Sequence, residues 1–305
     1  KPQTPNPKPQ TPNPKPQDCV FVCIYTVCMH GDSNYQMLRD SLDTLRIYEH
    51  PSSVDREDRQ KLMTGDRVVP VGKAINFFPD NSISTTKYTK YNFFFLNLWE
   101  QLQKIANLYF ILLILLQCVP MISITGGIPT IAPPLMFIML LTMIKDVYED
   151  YQRYLADQEE NYKKVNRVKG DQMETESIHW SDLHVGDIVK VEKDQFFPAD
   201  LLLVASSNYK RGVCYVETKN LDGETNLKPK NVLDELKSIV HSEKDVIQLK
   251  NRIIKSKGPD VFLYGFEGSI EVKGEQIPLN AKHLLLRGSS LRNTDYIYGV
   301  VVYTG

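Results

Sequence analysis

The chain has 305 residues, 24% of them charged, with a mean hydropathy of −0.30 and a formal net charge of −1. Such a balanced charge gives no reason to expect a nucleic-acid partner. These averages conceal a division, because one stretch of 40 residues, 105–144, contains no Asp, Glu, Lys, Arg or His.

The chain begins with a Pro-rich repeat. Residues 1–17 are KPQTPNP twice and then KPQ, with no apolar side chain to bury. This composition predicts a disordered, polyproline-like tether, and a Thr-Pro phosphosite or an SH3-type ligand remains an alternative. The following apolar run, CVFVCIYTVCMH, is too short to cross a membrane. We group residues 1–33 together and assign them no function.

The five cysteines are expected to be reduced thiols. The spacing of Cys19, Cys23 and Cys28 matches neither a CxxC redox pair nor a usual zinc site. Cys118 lies in the apolar stretch and Cys214 in a strand-like run. An odd number of cysteines without a disulfide pattern is typical of a reducing compartment.

Residues 34–85 are assigned to a cytosolic N-terminal segment. A weak helical pattern covers 34–49, and a charged loop without periodicity covers 51–66. From residue 86 the composition becomes rich in aromatic side chains, which we expect at the level of the lipid headgroups. They are Tyr88, Tyr91, Phe93, Phe94, Phe95 and Trp99.

The charge-free stretch is predicted to form a transmembrane hairpin. It consists of two apolar runs around a centre that contains Pro120, Gly126, Gly127 and Pro129. Each run has about the 20 residues that a helix needs to cross hydrocarbon. One Lys or Asp at mid-membrane costs about 2.5–3.5 kcal/mol, so the absence of charge favours lipid over the alternative of a buried helical hairpin.

The second run continues as the charged sequence KDVYEDYQRYLADQEEN, which predicts a helical stalk. The hairpin with its stalk is assigned to residues 86–154. Two amides in the first helical run, Gln101 and Gln117, are expected to face protein or a water-filled groove, because polar side chains at membrane depth usually do so.

Basic residues predict which side of the membrane the flanks occupy. No signal peptide is predicted ahead of the hairpin, so both flanks share one side. Lysines and arginines occur on both flanks and are absent from the connecting turn, which predicts an integral membrane protein with cytosolic flanks. They are Lys87, Lys90, Lys104, Lys145, Arg153, Lys163 and Lys164.

Beyond the stalk, residues 155–305 are predicted to form a mainly β domain. Alternating apolar patterns indicate strands in HVGDIVKV (184–191), ADLLLVA (199–205) and GVCYVET (212–218). A helical excursion is predicted for 229–258. Strands are expected to resume in VFLYGFEG, SIEVKG, HLLLRG and YIYGVVVYTG.

The sequence KNLDGETNLK follows the third of these strands. An ordinary Asp-Gly turn is the simplest interpretation. The alternative is chemical: Gly223 permits close approach of the backbone to an anion, and Glu224 could accept a proton from water. Thr225 offers a hydroxyl to a phosphoryl oxygen. The loop alone favours the turn.

A series of motifs in fixed order resembles the N-terminal part of type IV P-type ATPases, the lipid-translocating branch of these pumps. The motifs are KYTKYNFFFLNLWEQ (87–101), ANLYF (106–110), KDxxEDYxR (145–153), WSDLHVGDIVKV (180–191), FPADLLL (197–203), CYVETKNLDGETNLK (214–228), LLLRGSSLRNT (284–294) and GVVVYTG (299–305). The resemblance covers about residues 75–305. It implies a transmembrane hairpin equivalent to the first two of ten membrane helices, followed by an actuator domain.

The resemblance also implies roles for particular residues. Asp222, Gly223, Glu224 and Thr225 would form the dephosphorylation loop, in which Glu224 positions the water that hydrolyses an aspartyl-phosphate. Gln117, with Gln101 in the same helix, would lie on the path of a phospholipid headgroup.

The intact enzyme would use ATP and require Mg²⁺ for phosphoryl transfer. Its implied partners are a phospholipid, the membrane, and phosphorylation and nucleotide domains of the same enzyme, with an accessory membrane subunit as a further candidate. No stretch DKTGT occurs in the 305 residues. We therefore expect this chain alone to bind no metal or cofactor and to have no ATPase activity.

The sequence departs from the family pattern at three positions. Phe95 stands where proline is common, Leu102 where phenylalanine is common, and Cys118 where some members carry a second glutamine. The lipid headgroup therefore stays open. Two alternatives also stay open: a non-catalytic membrane-anchored adaptor, and a cation-transporting P-type ATPase. The latter is disfavoured, because such pumps typically carry TGES where this chain has DGET.

Overall fold

The computed structural model describes residues 65–89, 91–119, 126–169, 173–260, 262 and 265–304. The predictions for the N-terminal repeat, for the helix at 34–49 and for Cys19, Cys23 and Cys28 lie outside these residues.

Three of the described helices are longer than ten residues, and the other two are single turns. They are α1 (Phe93–Gln103), α2 (Ile105–Gln117), α3 (Ala132–Asn161), α4 (Lys219–Asp222) and α5 (Asp234–Lys237), with 3₁₀ turns at Trp180–Asp182 and Glu243–Leu249. The described strands are β1 (Arg67–Pro70), β2 (Lys164–Lys169), β3 (Glu174–His179), β4 (Ile188–Glu192), β5 (Asp200–Ser206), β6 (Val213–Glu217), β7 (Lys228–Asn231), β8 (Ile253–Ser256), β9 (Glu267–Val272), β10 (Glu275–Asn280), β11 (Leu284–Leu285), β12 (Ser290–Arg292) and β13 (Tyr296–Tyr303).

The strands form three antiparallel sheets, so the prediction of a mainly β domain is confirmed. Six strands pair in the order β11-β5-β13-β4-β2-β3, four in the order β1-β8-β9-β10, and three in the order β12-β6-β7. The central strands β5 and β13 are buried along most of their length. Their continuous apolar sequences fit strands that are covered on both faces.

The three strands predicted between residues 184 and 218 correspond to β4, β5 and β6. The helical excursion at 229–258 is smaller than predicted, because β7 and β8 occupy its two ends and only α5 and a 3₁₀ turn are helical. The strand predicted in SIEVKG corresponds to β9, whereas VFLYGFEG lies largely before β9 and includes residues that the structure does not describe. The apolar spacing that predicted a helix in residues 229–258 therefore did not distinguish single helical turns from a longer helix.

The N-terminal segment joins the β domain. β1 pairs antiparallel with β8, with Val69 opposite Ile254. Val69 and Ile254 are both fully buried and belong to one hydrophobic cluster that also contains Leu201 and Val300. The segment assigned to 34–85 therefore contributes a strand to the domain that follows the helices in sequence.

Asn81 connects this segment to the β domain. Its side chain is completely buried, and its Nδ2 donates to the carbonyl oxygens of Trp180 at 2.8 Å and Pro198 at 3.0 Å. Its Oδ1 and backbone oxygen accept from the two terminal nitrogens of Arg287 at 3.0 and 3.2 Å. Burial lowers the pKa of the Arg287 guanidinium. A desolvated cation of this kind depends on its acceptors.

We expect Asn81→Ala to lower the free energy of unfolding by about 2–3 kcal/mol, because it leaves buried carbonyl oxygens and part of Arg287 without partners. Guanidinium unfolding followed by tryptophan fluorescence measures this change. Asn226→Ala, at an exposed asparagine, is the matched control and should change stability by less than about 0.5 kcal/mol. Equal losses in the two variants would contradict the role of the Asn81 network.

The helices occupy the region predicted as a hairpin, but the hairpin itself is not established. Within the residues that the structure describes, none of the helices combines the length and the apolar character needed to cross a membrane. The single helix predicted to contain both Gln101 and Gln117 is divided, since Lys104 adopts an extended conformation between α1 and α2. Residues 120–125, which include part of the predicted turn, lie outside the described residues.

The stalk helix has the predicted charged continuation. α3 begins with prolines in its first turn, where they suit a helix, and runs for 30 residues to Asn161. Lys145 and Glu149 form an i,i+4 ion pair at 2.7 Å. Such exposed pairs contribute little to stability, because solvent screens the two charges.

The two described cysteines are free thiols, as expected for them. Cys118 is exposed, whereas Cys214 is buried on β6. Burial raises the pKa of the Cys214 thiol to about 12. This thiol therefore stays protonated near neutral pH and is a structural side chain.

Candidate functional site

The loop that contains Asp222, Gly223, Glu224 and Thr225 lies at one end of the three-stranded sheet. β6 ends at Glu217, the single turn α4 follows, and β7 begins at Lys228. β6 and β7 pair antiparallel, so the loop reverses the chain between them. The four predicted residues are thus contiguous on an exposed turn supported by two paired strands.

Asp222 organises the loop from within. Its carboxylate accepts the Thr218 hydroxyl at 3.0 Å and the backbone N–H of Glu224 at 2.9 Å. It also accepts from Lys228 Nζ at 2.6 Å. Thr218 is buried, so these bonds tie the exposed turn to the end of β6. In this geometry, Asp222 shapes the turn.

Gly223 ends α4 in the left-handed conformation, with φ of +74°. A Cβ atom at this position would meet no atom within 4 Å. Glycine is therefore favoured here by backbone conformation and not by lack of space. The open space beside it leaves the backbone accessible to another molecule or domain.

Glu224 extends from the loop towards solvent. Its side chain is 47% exposed, and one carboxylate oxygen lies 2.8 Å from Lys228 Nζ. Lys228 therefore contacts both acidic side chains of the loop. Thr225 is also exposed. The arrangement offers a solvent-facing carboxylate and a hydroxyl on a fixed turn, which could act on a group brought to it from outside.

Ion pairs hold the sheet that carries the loop. Glu217, the last residue of β6, accepts from Arg292 Nε at 2.8 Å, and Arg292 also pairs with Asp194. β12 lies beside β6, with Ser290 opposite Glu217. The loop is therefore anchored to the rest of the domain on the side of β6 that faces β12.

The two predicted glutamines lie apart from this loop, on α1 and α2. Gln101 is buried, and its Nε2 donates to Asn97 Oδ1 at 2.6 Å. Asn97 in turn donates to Asp146 of α3 at 2.7 Å. Gln101 thus faces protein, which is one of the two environments predicted for it. No pairing partner is present for its Oε1 among the described residues.

Gln117 lies at the end of α2 and contacts the start of α3. Its Nε2 lies 3.5 Å from Thr130 Oγ1, and its Oε1 accepts from the Ile131 N–H at 3.5 Å. These are long contacts that contribute little energy. Gln101 bonds within α1, Gln117 contacts the start of α3, and Asp222 of the loop bonds Thr218, so these are three separate groups.

Lys228 and Thr218 lie in the motif CYVETKNLDGETNLK, but the sequence predicted no role for either residue. Lys228 follows Glu224 by four positions in a loop that carries two acids. That charge pattern was a usable signal. Thr218 gave none, because its bond to Asp222 depends on the single helical turn between them.

The described residues contain no group of three or more His, Cys, Asp or Glu side chains that could hold a metal ion. Asp222 and Glu224 are instead joined through Lys228. The donor set of this loop therefore does not fit Mg²⁺ by itself.

Comparison with known proteins gives a consistent match. Residues 65–131 match the family model described as "Phospholipid-translocating ATPase N-terminal". The chain is 46% identical over 228 residues to "Probable phospholipid-transporting ATPase 12" of Arabidopsis thaliana, covering 74% of this chain and 19% of that protein. It is 38% identical over 253 residues to "Phospholipid-transporting ATPase FetA" of Mus musculus, covering 82% of this chain and 21% of that protein.

The chain thus spans about a fifth of the length of the curated relatives it matches. An alignment that covers 82% of a 305-residue chain leaves about 55 residues outside it. Wherever it begins, it therefore extends past residues 222–225. The candidate loop therefore lies within the stretch that is similar to the mouse protein.

Proposed function

Since the chain is related to the N-terminal portion of phospholipid-transporting ATPases, we propose that it is the corresponding part of an ATP-driven phospholipid translocase. In this proposal it supplies the first two membrane helices and an actuator domain whose loop hydrolyses the aspartyl-phosphate. The observation that carries the proposal is the sequence match, which extends through the exposed loop.

The geometry of the loop supports this role. Hydrolysis of an aspartyl-phosphate needs a water molecule that attacks phosphorus while the bond from phosphorus to the aspartate oxygen breaks. A carboxylate can orient the water and accept its proton. Glu224 is on a fixed turn yet exposed, so another domain can approach it. Lys228 lies beside it and could pair with a phosphoryl oxygen.

The helices support a membrane location. α2 and the first half of α3 carry large apolar side chains that are more than half exposed, far more than a single functional patch requires. They include Ile105, Leu108, Leu112, Leu115, Met136, Phe137, Ile138, Leu140 and Ile144. We propose that lipid and further helices of the longer protein cover this surface, with both flanks in the cytosol.

In the proposed enzyme, ATP supplies the phosphoryl group and Mg²⁺ neutralises its charge during transfer. We assign both to the phosphorylation and nucleotide domains, since the loop of this chain does not fit the metal. The residues of this chain would act afterwards, by orienting water. The substrate is a phospholipid. Gln117 and Gln101 are proposed to lie along the path of its headgroup.

The test uses the complete reading frame that contains this chain. We expect the frame to encode DKTGT downstream, and the full protein in proteoliposomes to move a fluorescent phospholipid with ATP. The purified 305-residue chain should hydrolyse no ATP. Vanadate-sensitive hydrolysis by that chain would contradict the proposed division of labour, and a full protein without lipid transport would contradict the function.

A further inference from the structure

A short segment between the β domain and α1 is bound along the stalk helix. Residues 83–87, here called the strap, run beside the C-terminal half of α3. The Ile83 N–H donates to Asn161 Oδ1 at 2.8 Å, and Asn161 Nδ2 donates back to the Ile83 carbonyl oxygen at 2.8 Å. The amide of Asn161 thus pairs with the backbone as a neighbouring strand would.

The next contacts use carboxylates. The Thr85 N–H donates to Asp157 Oδ2 at 2.7 Å, and the Thr85 hydroxyl donates to Asp157 Oδ1 at 2.7 Å. The Lys87 N–H donates to Asp150 Oδ1 at 2.8 Å. Hydrogen bonds to a charged acceptor are short and stronger than neutral ones.

The spacing on both partners explains how the two chains fit. Residues 83, 85 and 87 occupy every second position. In an extended chain, the backbone N–H groups of such alternate residues point to the same side. Asp150, Asp157 and Asn161 are separated by seven and four residues, which places them on one face of a helix. Four residues of extended chain span about 13 Å and eleven residues of helix about 16 Å, so the two sets run alongside each other.

We propose that Asn161, Asp157 and Asp150 are positioning residues that recognise the strap by its backbone and fix where α1 begins relative to the β domain. Asp157 is the central one, since it is buried and holds Thr85 through two bonds. Because α3 contacts only backbone groups at positions 83 and 87, these contacts tolerate any side chain there except proline; the Lys87 side chain pairs separately with Glu100 of α1. Position 85 alone requires a hydroxyl.

The test measures amide hydrogen exchange in the full chain by mass spectrometry. In Asp157→Ala the amides of residues 83–87 should exchange about tenfold faster, because one charge-assisted anchor is lost. Asp157→Asn should retain most of the protection, since its amide can still accept from the Thr85 N–H. Glu159→Ala, at an exposed residue of the same helix, is the control and should leave exchange unchanged.

A pair of proline variants tests the alternating register. Thr85→Pro removes a bonded N–H and should release the strap, whereas Thr86→Pro, one residue later, should preserve protection at residues 83 and 87. The proposal is overturned if Asp157→Ala exchanges like the parent chain, if Asp157→Asn fails to restore protection, or if the two proline variants behave alike.

The meaning of the strap for transport rests on the proposed function, but the exchange experiment needs no ATP. In the complete enzyme, Asp157→Ala should slow lipid transport while leaving formation of the phosphoenzyme unchanged. A complete protein that forms no phosphoenzyme would contradict the proposed function and leave the exchange result intact. Unchanged exchange would overturn the strap proposal and leave the function intact.

Discussion

Glu224→Gln in the complete enzyme should trap the aspartyl-phosphate. The change keeps the length of the side chain, and the amide oxygen can still accept from Lys228, so the turn should persist. The basicity that removes a proton from the attacking water is lost. Removing a general base typically costs about 10²–10⁴ in rate. We expect dephosphorylation to slow by such a factor while phosphorylation by ATP proceeds.

The measurement is the amount of acid-stable phosphoenzyme after a short pulse of labelled ATP, followed by a chase with unlabelled ATP. Glu235→Gln, at an exposed glutamate of α5, is the matched control and should decay at the parent rate. Asp222→Asn should slow decay less than Glu224→Gln, because Asp222 shapes the turn. A Glu224→Gln phosphoenzyme that decays at the parent rate would rule out the water-orienting role.

The sequence predicted the parts of the β domain that depend on local pattern. The strands β5 and β13 carry continuous apolar runs, and their burial follows from these runs. The strand β1 was not predicted, because its four residues follow a charged stretch and its partner β8 lies about 185 positions later. Long-range pairing of a short strand leaves almost no local signal.

The position of the candidate loop was predictable from the sequence, but its internal contacts were not. The order of motifs identified the loop at Asp222–Thr225, and the structure places those residues on one exposed turn. Lys228 and Thr218 acquire their roles only when α4 closes the loop. The strap gave no signal, because a partner that recognises backbone groups constrains few side chains.

Gly186→Ala should destabilise the β domain by about 3–5 kcal/mol. Gly186 has φ of +96°, and a Cβ atom there would lie 2.2 Å from the carbonyl oxygen of Lys73 and 2.9 Å from that of Pro70. The backbone conformation alone costs an L-residue about 1–2 kcal/mol. The overlap adds more, because backbone oxygens cannot rotate away as a flexible side chain does.

The position of Gly186 explains why the effect should be large. Its N–H donates to the Val301 carbonyl oxygen at 2.8 Å, and its own carbonyl oxygen accepts from the Gly72 N–H at 2.8 Å. It therefore lies between β13 and the segment that follows β1. Relief of the overlap would move residues 70–73 outwards and separate β1 from the common core. In Gly186→Ala, the amides of residues 67–73 should then exchange faster with solvent. The denaturant concentration at the unfolding midpoint should also fall.

Gly274→Ala separates the two causes. Gly274 also has a positive φ, +84°, in the turn between β9 and β10, but a Cβ atom there would meet no atom within 4 Å. This control should therefore lose only the conformational part, about 1–2 kcal/mol. Denaturant unfolding of both variants gives the difference. Equal losses of unfolding free energy would mean that residues 70–73 can move aside at no energetic cost. The N-terminal segment would then not be held against the β domain at Gly186.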